Sequence, residues 1–317
     1  DAAELCGLPP AALPAPRPAP AALAERFSLP DWLADELGDA AGDDSEALAD
    51  ALDLPGPVCL RVNTLRTSAR ELAALLAAEG VETRPGAHAG ACLVVTSSRP
   101  NVYGLAAHRA GLFEVQDEAS QLAGAAVGAR AGEEVLDLCA GAGGKTLLLA
   151  CAVGAGGRVH AADPDPERLA RLRLRTARAG AGAIVAVHGA EPPAALAADR
   201  VLVDAPCSEL GALRRGPDVR WRLDPARFAG LPALQLAILS RAARHVRPGG
   251  VLGYATCTFR RAENEEVALA FEAAEPGFER VAAHAPAAVR TADGFLRTWP
   301  HRHGTDAFFA AVWRRRR

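Results

Sequence analysis

From about residue 133 onward, short apolar runs alternate with helix-length amphipathic segments, and that rhythm constrains the fold more than any other feature of the chain. The runs Glu134–Cys139, Arg158–Ala162, Ala183–His188, Arg200–Asp204 and Val251–Thr256 read as strands, with Ala307–Trp313 as a last one. Helices are expected near Gly144–Val153, Pro166–Ala179, Pro225–His245 and Ala262–Ala274. Strands separated by helices need crossover connections, and these imply a parallel sheet covered by helices on both faces. The fold class is α/β, doubly wound. Ligands of such sheets sit beyond the carboxyl ends of the strands, where strand order reverses. Residues just past strand ends are therefore the candidates for chemistry.

The segments upstream differ in character. Residues 1–22 are an Ala/Pro-rich tail or linker, and 23–57 an acidic helical segment in which Pro30-Asp31-Trp32 opens a helix. Residues 58–110 form a small α+β unit, with strands at Val58–Asn63 and Cys92–Thr96 around an amphipathic helix at Ser68–Glu79. Residues 111–317 hold the large sheet.

Charge divides along the same line. Residues 1–55 hold 12 Asp/Glu against 2 Arg, whereas the remainder holds 33 basic and 26 acidic residues. The body of the chain can attract phosphate and its first segment cannot, although charge alone does not separate an RNA surface from a solvated one. No apolar run approaches the roughly 18 residues of a membrane span, and no secretory signal pattern is visible. The seven cysteines (Cys6, Cys59, Cys92, Cys139, Cys151, Cys207, Cys257) are odd in number and form no Cys-x-x-Cys pair. A disulfide framework and a zinc site are both disfavoured, so a cytoplasmic protein without a metal or a membrane partner is expected.

The first large-sheet strand runs into Asp137-Leu138-Cys139-Ala140-Gly141-Ala142-Gly143-Gly144-Lys145-Thr146. Glycines there let the backbone turn sharply and approach a ligand, while the next helix offers free N–H groups. A phosphate-binding P-loop is excluded because its first glycine position is Cys139. The dinucleotide fingerprint fails because its last glycine position is Thr146. Asp163 ends the second strand, where a carboxylate can accept from both hydroxyls of a ribose. Capping the following helix is the competing role, and the glycine loop before it favours ribose.

Cys207 lies in Asp204-Ala205-Pro206-Cys207-Ser208 after the fourth strand, and Cys257 in Ala255-Thr256-Cys257-Thr258 after the fifth. Most buried cysteines are inert small hydrophobes, which suits Cys59, Cys92 and Cys151. Cys207 and Cys257 instead follow strands in polar, turn-forming contexts where reactive groups are displayed, and two neighbouring strand ends would aim both at one cleft.

The chain resembles the RsmB/Fmu (Sun) family of RNA 5-methylcytosine methyltransferases from about Phe27 to its C-terminus. The matching segments are RVNTL at 61–65, GLFEVQDEASQL at 111–122, VLDLCAGAGGKT at 135–146, VDAPCSELGALRRGPDVRW at 203–221, YATCTFRRAENEE at 254–266 and GTDAFFAAVW at 304–313. The resemblance implies a Rossmann-like class I methyltransferase sheet, S-adenosylmethionine as cofactor and RNA as partner, with residues 58–110 as a small subdomain that helps hold RNA and small-subunit (16S) ribosomal RNA the leading substrate. It further implies that the Cys257 thiolate adds to carbon 6 of a cytosine, so that carbon 5 can attack a methyl group. Cys207 would then help remove the carbon-5 proton and release the adduct. Asp204 would bond the cytosine edge at ring nitrogen 3, and Lys145 would hold that acid and lower the thiolate pKa. Cys139, Ala140, Gly141, Ala142, Gly143, Gly144 and Lys145 would surround the methionine part of the cofactor, Asp163 its ribose, and Asp204 would border the same pocket. Where the family has an Asp for the adenine amine, this chain reads Val187-His188-Gly189-Ala190-Glu191, with Glu191 as the substitute. Ala142 stands where many members have Pro, and Glu209 and Ala307 where many have Gly.

Arg214, Arg215, Arg220, Trp221 and Arg222 follow the Cys207 loop, and Arg260 and Arg261 follow Cys257. Basic and aromatic residues at a cleft mouth suit phosphate contacts and stacking on an exposed base, so RNA contacts are expected there. The alternatives are a transfer-RNA cytosine-5 methyltransferase and a non-catalytic RNA-binding assembly factor on the same fold. A DNA cytosine-5 methyltransferase, whose nucleophile is the Pro-Cys cysteine, is disfavoured by the second cysteine. A monomer is the default expectation.

Overall fold

The computed structural model describes residues 21–98 and 100–317, so the Ala/Pro tract up to residue 20, with Cys6, lies outside the described residues. Three helices come first: α1 (Ala21–Arg26), α2 (Asp31–Ala41) and α3 (Ser45–Asp53). Pro30 directly precedes α2, as its sequence suggests. Leu33 and Leu37 on α2 face Leu48 and Leu52 on α3, the spacing of one apolar stripe on each helix.

The small unit is an antiparallel sheet of β1 (Cys59–Val62), β2 (Thr83–Pro85), β3 (Cys92–Val95) and β4 (Phe113–Val115), in the order β2-β3-β1-β4. Helix α4 (Ala69–Ala78) starts at a capping box, in which the Ser68 side chain and Glu71 satisfy each other's backbone N–H groups. Its Leu72 and Leu76 meet Leu60 and Phe113 in a separate core. A short helix, α5 (Ala106–Arg109), leads into β4, so this sheet takes its fourth strand from beyond residue 110.

The large unit follows as α6 (Glu118–Ala125), β5 (Glu134–Leu138), α7 (Gly144–Val153), β6 (Arg158–Ala162), α8 (Pro166–Ala179), β7 (Val185–His188) and β8 (Ala198–Asp204). It continues with α9 (Leu231–Ala243), β9 (Val246–Thr256), α10 (Glu265–Ala274), β10 (Phe278–Val281), β11 (Leu296–Arg297), α11 (Pro300–His303) and β12 (Phe309–Arg315). Strand order is β10-β12-β9-β8-β5-β6-β7, with β11 beside β12. Strands β5 to β9 are mutually parallel, whereas β12 is antiparallel to β9 and β10. From β5 the chain first builds outward through β6 and β7, then returns to β8 on the other side, so order reverses between β5 and β8.

Residues of α6, α7 and α8 pack on one face with Val135, and residues of α9 and α10 on the other with Leu136 and Leu138. This is the two-sided cover expected of a doubly wound sheet. One expected helix is broken. Pro225–Phe228 makes only a 3-10 turn, and α9 restarts after Gly230 because Pro232 has no N–H to continue the ladder.

Candidate active site

The site forms where strand order reverses. The backbone leaves β5 with Cys139 at φ 65° and Gly141 and Gly143 at φ 55° and 89°. Gly143 is pressed on Leu172 of α8, where a Cβ would sit 2.9 Å from Leu172 Cγ, whereas a Cβ on Gly141 would meet nothing within 4 Å. The loop is thus closed on one side and open on the other. Asp163, buried at the end of β6, braces it: Gly141 N–H donates to one carboxylate oxygen and Asp165 N–H to the other, both at 2.9 Å. The cap of α8 is Asp165, not Asp163. Each Asp163 oxygen retains a lone pair, so a carboxylate acceptor beside an open glycine turn fits a ribose diol. Burial, with Asp163 and Asp204 nearby, pushes the Cys139 thiol up to about 12, which leaves it inert.

Lys145, on the first turn of α7, is buried and places Nζ 2.7 Å from Asp204 Oδ2 at the end of β8. Burial alone would lower its pKa, but the Asp204 carboxylate outweighs that and holds the ammonium above its usual range. Beneath them lies Asp137, fully buried on β5, with Thr146 Oγ1 donating to it at 2.6 Å. Burial raises its pKa to about 7. Asp137 is a site neighbour that reading the sequence overlooked. A carboxylate inside an otherwise apolar parallel strand was the available signal.

The Cys207 and Cys257 sulfurs are 3.3 Å apart. Cys257 is held well above the ordinary thiol pKa by its hydrogen bond to Cys207 and by burial. The expected lowering by Lys145 is thus not what this resting arrangement provides: Cys257 keeps its proton until something displaces it. Both loops are tightly specified. Gly211 N–H donates to the Cys257 carbonyl at 2.9 Å, the Gly211 carbonyl accepts from Ala307 N–H at 3.0 Å, and a Cβ on Gly211 would collide with the Ala307 carbonyl oxygen. Ser208 and Thr258 hydroxyls, each one residue past a cysteine, are 2.8 Å apart. Glu263, fully buried, accepts from Ser208 N–H and from Gln235 Nε2, both at 2.9 Å, and Gln235 also donates to the Pro206 carbonyl. In the sequence Glu263 is one acid among several in YATCTFRRAENEE, and only its burial singles it out.

Glu191 lies three residues past β7 with its carboxylate 2.8 Å from Arg241 on α9. The Gly189 carbonyl in the same loop accepts from Asp163 N–H, so this stretch borders the cofactor end although the Glu191 charge is turned to Arg241.

The arginines expected to face RNA are placed differently. Arg214 and Arg215 pair with Asp306 at 2.7 and 3.0 Å, and Arg215 also pairs with Asp117. Arg220 pairs with Asp53 on α3, and Arg260 with Glu36 on α2. The acidic first segment is therefore docked on the basic loops of the site, where Leu33, Leu37, Leu48 and Leu52 share a core with Leu210, Leu213 and Phe259. Sequence reasoning could not see these pairings, because each partner is distant in the chain. Of that cluster, Arg215, Trp221, Arg222 and Arg261 stay exposed, with Arg222 paired to Asp218 at 2.7 Å.

Among the described residues no cluster suited to a metal occurs, and no helix is long and apolar enough to cross a membrane. Comparison with known proteins places this geometry. The family described as 16S rRNA methyltransferase RsmB/F matches residues 125–314, and a ferredoxin-like domain of RsmF/B-like methyltransferases matches 29–101. The chain is 34% identical over 308 residues to a probable ribosomal RNA small subunit methyltransferase B of Bacillus subtilis, covering 93% of this chain and 68% of that one. It is 36% identical over 251 residues to the ribosomal RNA small subunit methyltransferase B of Citrobacter koseri, covering 78% and 58%. A solved methyltransferase homolog protein from Pyrococcus horikoshii shares its fold at a TM-score of 0.77 and 26% identity, over 94% of this chain and 99% of that one. The chain thus spans about two thirds of the first curated relative and less of others. On this match across fold and sequence, the chain belongs to the RsmB/F family of 16S rRNA methyltransferases.

Proposed function

We propose that this protein methylates carbon 5 of a cytosine in small-subunit ribosomal RNA, with Cys257 as nucleophile. The observation that carries the reading is the pair of sulfurs 3.3 Å apart beside the Lys145–Asp204 ion pair, at the point where strand order reverses. The open turn at Gly141 and the Asp163 carboxylate suit S-adenosylmethionine, which when bound supplies an electrophilic methyl group. Cys139 to Lys145 would line its methionine end, with Asp163 on the ribose.

The protein's own groups carry the rest. An incoming cytosine displaces the Cys257–Cys207 hydrogen bond. The Cys257 sulfur then bonds carbon 6, while its proton passes by way of the Asp204–Lys145 pair to ring nitrogen 3. The electron pair of the former double bond makes carbon 5 nucleophilic, and it would bond the methyl group that S-adenosylmethionine supplies as the methyl–sulfur bond breaks and leaves its electron pair on the sulfur. Cys207, as thiolate, takes the carbon-5 proton. The double bond reforms as the carbon–sulfur bond breaks, and nitrogen 3 returns its proton to Cys257. Asp204 and Lys145 are pre-organised for this, since their separation is already that of a charge-assisted hydrogen bond. Because the base must leave its stack to reach both sulfurs, the target is single-stranded, looped or flipped.

The test is methyl transfer from labelled S-adenosylmethionine to unmodified small-subunit ribosomal RNA, with the product nucleoside identified by mass spectrometry. 5-Methylcytidine formed by wild type and lost in Cys257→Ala is the expected result. Transfer to transfer RNA alone would reassign the substrate, and undiminished transfer by Cys257→Ala would remove Cys257 as nucleophile.

A further inference from the structure

We infer that the outer face of α8, with the rim of the small sheet, is a docking surface for the RNA strand that flanks the target cytosine; this deepens the RNA-methylating reading and rests on it. Helix α8 carries Arg168, Arg171, Arg173, Arg175 and Arg178 against one acid, Glu167. Arg168, Arg171 and Arg173 are exposed. Arg175 and Arg178 both bond the single carboxylate of Glu114 on β4, so that cluster keeps a positive charge in excess. The ion pairs Arg168–Asp165 at 3.3 Å and Arg171–Glu167 at 3.7 Å lie on the helix surface, where such pairs are weak and yield readily to phosphate.

Of these arginines, Arg171, Arg175 and Arg178 border a groove of about 380 Å³ whose walls include Tyr103, His108, Ala142 and Leu174, and Arg168 and Arg173 lie outside it on the same helix. Tyr103 is 62% exposed and Leu174 73%, an uncovered ring and an uncovered aliphatic side chain beside planar cations. Exposed aromatic faces next to guanidinium groups are what single-stranded RNA uses for stacking and phosphate contacts together. His108 adds no charge at neutral pH, because burial and Arg178 keep its pKa low. The groove also touches the cofactor loop, since Arg175 Nη1 donates to the Ala142 carbonyl at 2.8 Å. Arg214, Arg215, Arg220 and Arg260 are engaged by Asp306, Asp117, Asp53 and Glu36, which leaves the α8 cations, beside Arg222 and Arg261 at the site itself, to neutralise phosphate. An acidic protein segment would match the charge but would leave Tyr103 without a flat partner.

The experiment compares wild type, the double variant Arg171→Glu/Arg173→Glu and Tyr103→Ala. All three side chains are exposed, and unchanged melting temperature and S-adenosylmethionine binding establish that the fold is kept. Affinity for a long fragment of small-subunit ribosomal RNA is measured across a salt series, alongside kcat and KM. The double variant is expected to bind about tenfold more weakly with a shallower salt dependence, because phosphate contacts are lost. Tyr103→Ala should bind several-fold more weakly with the salt dependence unchanged. In both, KM for long RNA rises while kcat holds, and the difference disappears on an oligonucleotide too short to reach the groove. If wild type methylates RNA and the variants match it in affinity and salt dependence, the groove is not an RNA surface. If wild type neither binds nor methylates RNA, the underlying reading fails and takes this inference with it.

Discussion

The Sγ atom of Cys257 lies 3.3 Å from that of Cys207, two sulfurs that stand 50 residues apart in the chain and meet because β8 and β9 are neighbours. That contact, with burial, holds the Cys257 proton in place. Alkylation of Cys257 by iodoacetamide should therefore still be accelerating at pH values above the ordinary thiol pKa of about 8.5. Cys207→Ala removes the first of the two causes, so the alkylation profile should move to lower pH. Peptide mapping by mass spectrometry reads both profiles, and an unmoved profile would show that burial alone sets the Cys257 pKa.

Glu263 connects the two loops by accepting from Ser208 N–H and from Gln235, which in turn holds the Pro206 carbonyl. Glu263→Gln keeps the volume and loses the charge. The expected result is a fall in kcat of about tenfold to a hundredfold with KM for RNA little changed, the pattern of a disturbed reacting geometry. Steady-state kinetics check this, and a rise in KM alone would assign Glu263 to substrate binding.

Asp137 titrates near 7 in the folded protein because it is buried, against 3.8 for its ordinary value. The folded state therefore binds the proton more tightly than the unfolded one. Its contribution is fully present below about 4 and is lost as pH rises through about 7. Asp137→Asn abolishes this dependence while retaining an acceptor for Thr146. Relative to wild type, the variant should gain stability on going from pH 5 to pH 8 by on the order of a few kcal/mol. Denaturant titrations at the two pH values measure it, and parallel behaviour would place the Asp137 pKa at its ordinary value.

Glu209 adopts φ 59°, a left-handed conformation that costs a side chain about 1–2 kcal/mol. Its carboxylate also helps hold the Cys257 proton. Glu209→Gly should raise unfolding stability by about 0.5–1 kcal/mol after the larger chain entropy of glycine is subtracted. It should also move Cys257 alkylation toward lower pH. A loss of stability would mean that the Glu209 side chain makes a compensating contact.

The legible part of this protein was what local sequence determines. Strands β5 and β6 are apolar runs that no helical period fits, and α8 opens at Pro166 and closes at Gly180, although its cap is Asp165 and not Asp163, the residue weighed for that role in the sequence. The cysteine loops and the glycine turn were legible because they follow strands in polar, turn-forming contexts and resemble the family's segments. What stayed hidden depends on distant partners. Strands β4 and β10 are only three and four residues long and become strands through pairing with β1 and β12. Arg214 and Arg260 read as solvent-facing cations until Asp306 and Glu36 arrive from elsewhere in the chain. Asp137 and Glu263 look like ordinary charges in sequence and acquire meaning only through burial.

The account turns on which sulfur bonds the base, and covalent trapping on RNA tests that most directly. Wild type, Cys207→Ala and Cys257→Ala are incubated with S-adenosylmethionine and small-subunit ribosomal RNA, then resolved on denaturing gels. The account predicts that Cys207→Ala accumulates a protein–RNA adduct, since the bond forms and its release stalls, while Cys257→Ala forms none. An adduct in Cys257→Ala, mapped to Cys207, would contradict it and exchange the roles of the two cysteines.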